Sequence, residues 1–74
     1  MEYKVRMDWD SETERWTAVI EDGIRLVLES SSYDALVERV KIAVRDILEV
    51  DMKYRGAFTL RFETDSVVHM RAIS

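Results

Sequence analysis

Across residues 3–9 apolar and charged positions alternate without a break: Tyr3, Val5, Met7 and Trp9 share one phase, and Lys4, Arg6 and Asp8 the other. A period of two marks a strand with one buried face, because successive side chains on a pleated backbone point to opposite sides. Residues 10–14 are polar and include a serine and a threonine, whose side chains satisfy local backbone groups and suit a short hairpin loop. Alternation then resumes, with Trp16, Ala18 and Ile20 in the inner phase and Thr17, Val19 and Glu21 in the outer. Glu21-Asp22-Gly23 is the next turn, its glycine free to take a positive φ. A third strand over 24–29 sets Ile24, Leu26 and Leu28 inward and Arg25, Val27 and Glu29 outward.

Over 31–50 the period changes. Tyr33, Leu36, Val37, Val40, Val44, Ile47 and Leu48 recur at spacings of three and four, which on a helix makes one continuous apolar stripe. Ser30, Ser31 and Ser32 precede it, and Ser31 is the expected cap, placing Asp34 at the third helical position against the positive end of the helix dipole. The helix is expected to run out over 49–53, with Gly56 as its latest end. A period of two returns with Phe58, Leu60 and Phe62 inward and Thr59, Arg61 and Glu63 outward. Val67, Val68 and Met70 either prolong this fourth strand past Asp65-Ser66 or form a short fifth, and the pattern leaves both open.

A helix between the third and fourth strands is long enough to cross the sheet, and the natural neighbour for the fourth strand is the first. The expected fold is α+β in two layers: a three-stranded antiparallel meander, one crossover helix and a further strand, in the order 3-2-1-4. The helix covers one sheet face and leaves the other wet. All of 1–74 is read as one domain, since 74 residues leave room for a single core.

Composition narrows the chemistry. The absence of cysteine removes disulfides, zinc ribbons and thiol nucleophiles, and leaves self-association as the available staple for so small a core. A net charge of -4 argues against a phosphate-binding footprint and suits a basic partner or plain solubility. Residues 1–10 lack the apolar run of a secretory signal, and no run approaches the roughly 20 residues of a membrane span, so a cytoplasmic location is expected.

No residue constellation assembles into a catalytic, cofactor or metal site. Asp8, Asp10, Glu12 and Glu14 resemble a solvated hairpin more than a calcium loop, which requires a glycine at its sharp turn and a bidentate glutamate at fixed spacing. The single histidine, His69, offers no metal pair or catalytic relay within one chain, and Gly23 and Gly56 are too isolated to cradle a phosphate. Trp9 and Trp16 share the inner phase with Tyr3 and Ile20, so both are assigned to the core rather than to a base-stacking platform. What remains is surface. Ala35 and Ile42 lie opposite the helical stripe, and Thr17, Val19, Val27 and Thr59 form a β-branched set on the outer sheet face, with open strand edges beside it. These six residues are the candidate interaction surface, with a second copy of the chain as one expected occupant.

The order Val5-Arg6-Met7-Asp8-Trp9-Asp10, Arg15-Trp16-Thr17-Ala18, Glu21-Asp22, Leu26-Val27-Leu28-Glu29 and Ala35-Leu36-Val37-Glu38-Arg39-Val40 resembles the HicB-like antitoxin domain, and in particular its short stand-alone relatives of unassigned function. The similarity extends from Tyr3 to about Leu48. Where that family usually has a Pro-Gly pair before the third strand, this chain has Gly23-Ile24, and it contains no proline. The resemblance implies a partial ribonuclease-H-like topology and an antitoxin role, neutralising a small basic mRNA-cleaving toxin. After Phe62 too little chain is expected to remain for the DNA-binding domain such antitoxins typically add, so direct nucleic-acid binding is not carried over. The resulting expectation is a non-enzymatic, homo-oligomeric protein-interaction module without cofactors. The alternatives are an orphan oligomeric domain with another ligand, or a relic metal-dependent nuclease built on Asp8 and Asp10.

Overall fold

The computed structural model describes residues 1–64 of the chain. Within them lie four strands, β1 (Glu2–Asp10), β2 (Arg15–Ile20), β3 (Leu26–Ser30) and β4 (Thr59–Thr64), and between β3 and β4 the helix α1 (Tyr33–Asp46), prolonged by a π-helical segment, Ile47–Asp51. The sheet order is β3-β2-β1-β4, as the hydrophobic pattern predicts. β1 and β2 are antiparallel, as are β2 and β3, whereas β4 runs parallel to β1 with Val5 beside Phe62. The question of a fifth strand at Val67, Val68 and Met70 falls outside the described residues.

The inner sheet face carries Tyr3, Val5 and Met7 from β1 and Ala18 and Ile20 from β2, all buried. Against it the helix sets Leu36, Val40, Val44 and Leu48, while Tyr33, Val37 and Ile47 are partly buried at the margins of the stripe. Each fully buried aliphatic side chain contributes about 1.5–3 kcal/mol by leaving water, so this one layer carries most of the favourable energy of the fold. Residues four apart drift about 40° per step around an ideal α-helix. Leu48, the second residue of the π segment, is the last of the stripe to be buried.

Local chemistry sets the boundaries, and several differ from the sequence expectation. The helix cap is Ser32 rather than Ser31: the Ser32 hydroxyl accepts from the Ala35 amide at 3.2 Å, and Asp34 therefore occupies the second helical position. At the other end Lys53 takes a left-handed φ of 52°, and the Tyr54 amide donates to the Leu48 carbonyl at 2.7 Å, closing the helix with a lysine where glycine is usual. Asp10 belongs to β1 instead of the loop; its carboxylate accepts from the Glu12 amide at 2.9 Å and so starts the hairpin turn. β3 begins at Leu26, two residues later than the alternation suggests, because the turn around Gly23 extends through Arg25. Ile24 is nevertheless buried, plugging the core from that turn.

Gly23 is constrained twice over. Its φ is +90°, and a Cβ added there would stand 2.8 Å from Cε1 of Tyr3, itself a core residue. Gly23→Ala therefore forces both a left-handed backbone strain and a displacement of the Tyr3 ring. We expect a loss of about 1–3 kcal/mol, read as a lowered denaturation midpoint with an unchanged denaturant slope; equal stability would show that the turn tolerates a side chain.

Candidate protein-interaction surfaces

Three exposed regions bear on the candidate surface: the outer sheet face, the outer helix face and the end of the β1–β2 hairpin. On the outer sheet face, strand register aligns Val27, Val19, Arg6 and Glu63 in one row across β3, β2, β1 and β4. The next row is Glu29, Thr17 and Asp8. Val19, Val27 and Thr17 are thus immediate neighbours on the β2–β3 half of the sheet.

Thr59 is not one of them. It pairs with Glu2 at the opposite corner of the sheet, beyond Lys4 and Arg6 on the central strand. Period-two phasing assigns a residue to a face but not to a place on it, so the β-branched set reads as one patch from sequence and is divided in the structure. The dividing ground is charged: Arg6 contacts Asp8 at 3.1 Å and Glu21 at 3.7 Å, and Arg61 contacts Glu2 at 3.0 Å. These pairs are open to solvent, so each stabilises by no more than about 1 kcal/mol. Their main effect is to keep the β1–β4 half of the face hydrated.

Beside Val19 and Val27 a shallow groove of about 400 Å³ runs along the β2–β3 turn, walled by Glu21 and Arg25. Ala35 and Ile42 lie on the far side of the molecule, on the helix face turned away from the sheet, and Ile42 is 56% exposed. No single partner surface includes all six residues.

The hairpin end carries the residue that the sequence pattern misplaces. Trp9 has the inner phase, but it is 48% exposed and is not a core residue. β1 extends past the point where the helix begins: Tyr33 in the first helical turn packs edge-on against Trp16 at 5.0 Å, and Trp9 stands outside Trp16 at 5.4 Å. The three rings form a ladder leading from the core to solvent. Asp8 and Asp10 precede and follow Trp9 in the strand and point to the opposite face, with Arg6 against Asp8 and Arg15 opposite Asp10, and Glu12 and Glu14 follow in the loop. The hairpin end thus carries an exposed indole on the inner side of the sheet, with acidic residues on the other side of the strand and in the loop. Glu14 holds a φ of 54°, the left-handed conformation that closes this loop.

Among the described residues no group of three or more histidine, cysteine, aspartate or glutamate side chains is arranged to hold a metal ion, and Asp8 and Asp10 are engaged instead by Arg6 and the Glu12 amide. His69 lies outside those residues. No helix within them is long and apolar enough to cross a membrane.

Residues 2–74 match the family described as a domain of unknown function, DUF1902. The chain belongs to that family. No curated protein and no solved structure matches it. The match spans all of the described elements from β1 to β4.

The two tryptophans offer separate reporters of this geometry. Trp16→Phe leaves Trp9 as the emitter, and its fluorescence should be red-shifted and strongly quenched by acrylamide. Trp9→Phe leaves Trp16, which should emit further to the blue with weaker quenching. Identical spectra for the two variants would contradict the ladder.

Proposed function

We propose that this chain is a non-enzymatic protein-interaction module of HicB-like type that self-associates and binds a small basic protein, as an antitoxin covers its toxin. The observation that carries the reading is the half-exposed Trp9 at the end of the β1–β2 hairpin, whose loop adds Glu12 and Glu14. Tryptophan is the side chain most often responsible for the energy of a protein–protein contact, and its face attracts arginine and lysine. The loop carboxylates Glu12 and Glu14 that follow β1 favour the approach of a basic partner over an acidic one. The net charge of -4 has the same sign as this end of the molecule.

Two further features support the HicB-like part of the reading. The strand order β3-β2-β1-β4 with a crossover helix agrees with the partial ribonuclease-H-like topology that the resemblance implies. The residues quoted for the resemblance also fall on defined elements: Val5 and Met7 in the sheet core, Leu36 and Val40 in the helix core, and Trp9 at the exposed hairpin end.

Affinity capture from the native host, followed by titration of the captured protein, tests the reading. Wild-type chain should enrich a small basic protein in a salt-sensitive manner. Trp9→Ala should weaken that complex about 30-fold, the effect of losing one interface anchor, while leaving the fold intact. Failure of the wild-type chain to retain any basic protein would remove the proposal.

A further inference from the structure

We propose that two copies of this chain join through their β3 edges, antiparallel and centred on Val27, to make one continuous sheet in the order 4-1-2-3-3-2-1-4. This names the interface for the self-association included in the proposed function, and it is independent of the basic partner.

β3 is a terminal strand of the sheet, so one side of its backbone has no neighbouring strand. Which groups are open follows from Glu29: its carbonyl accepts from Nη1 of Arg39 at 2.8 Å and so is accessible on the side away from β2. Strand periodicity turns the amide and carbonyl of Val27 the same way. The Arg39 contact lies at the end of the strand and occupies one of two lone pairs on that oxygen, leaving the central position clear.

The side chains then select both occupant and register. Val27 and Glu29 point to the outer face, where Val27 is 65% exposed; Arg25, the turn residue just before β3, lines the same groove as Val19 and Val27, and neither Arg25 nor Glu29 forms an ion pair among the described residues. Antiparallel pairing of β3 with a second β3 about Val27 sets Val27 against Val27. By symmetry it sets each Arg25 against the other copy's Glu29. On the inner face the same register sets Leu26 against Leu28, two residues only partly buried in one copy. A shift by one residue would set leucines against charged side chains, and a shift by two in either direction would break an arginine–glutamate pair. The strand is thus self-complementary in charge, size and face about a single point. The groove beside Val27, walled by Arg25, is where the other copy's Glu29 would seat.

Charge exchange combined with light scattering tests the register. Wild-type chain should be a dimer. Arg25→Glu opposes glutamate to glutamate at both pairs, and Glu29→Arg opposes arginine to arginine; each should raise the dissociation constant tenfold or more. Mixing the two single variants restores both pairs across a heterodimer, and the mixture should regain dimer mass. Val27→Pro removes the central amide and should give a monomer with an unchanged circular dichroism spectrum. A wild-type monomer overturns this interface together with self-association. A wild-type dimer indifferent to all three substitutions, or single variants that fail to recombine, overturns the β3 interface and leaves self-association on another surface.

Discussion

The fold rests on the docking of one helical stripe, Leu36, Val40, Val44 and Leu48, onto the inner faces of β1 and β2. Without that layer the inner sheet face would present Tyr3, Val5, Met7, Ala18 and Ile20 to water, an apolar surface that a three-stranded meander has no other means of covering. The helix also determines where β4 lies. A strand parallel to β1 is reached from β3 only by a crossover, and the helix, its π segment and the turn after Lys53 deliver Thr59 beside Glu2, where its amide donates to the Met1 carbonyl at 2.9 Å. Packing and topology are therefore one constraint. The stripe buries the face that the meander exposes, and the path needed to bury it completes the sheet.

Committing the helix to this role fixes which surfaces are left for function. The centre of the inner face is covered by the helix, and the outer face is divided into a charged half around Arg6 and Arg61 and a smaller β-branched half around Val19 and Val27. The helix begins beside Trp16 and so leaves the end of β1 uncovered, which exposes Trp9 on the inner side of the hairpin end. Two regions thus differ in kind. The hairpin end, aromatic and acidic, suits a basic protein, while the β3 edge, with alternating charge about a valine, suits a copy of itself. The two proposed contacts draw on different residues, Trp9 in one and Arg25, Val27 and Glu29 in the other.

Much of this architecture was legible in the sequence, because pleat and helix impose periods of two and about 3.6 that buried faces make visible. The phases of β1, β2 and β4, the helical stripe and the order 3-2-1-4 all follow from those periods. The positive φ of Gly23 follows from its place between two strands. What periodicity does not carry is extent. Trp9 has the phase of a core residue and lies outside the core because the opposing helix stops short of it, and Thr59 has the phase of Val19 but sits at another corner. The choice of Ser32 over Ser31 as cap, the late start of β3 and the π turn are settled by hydrogen bonds of single groups, to which a pattern of apolar positions is blind. The charge symmetry of β3 was present in the sequence as Arg25-Leu26-Val27-Leu28-Glu29, and it acquires meaning only once β3 is known to be an edge.

The dependence of the sheet on the helix is most directly examined by native-state hydrogen exchange. If the stripe is what the sheet requires, the amides of Val40 and Val44 and those of Val5 and Met7 should exchange only through one shared opening, with equal free energies close to the global value and equal responses to denaturant. Helical amides that exchange at a markedly lower free energy while the β1 amides stay protected would show that the sheet stands without its helix, and would contradict this account.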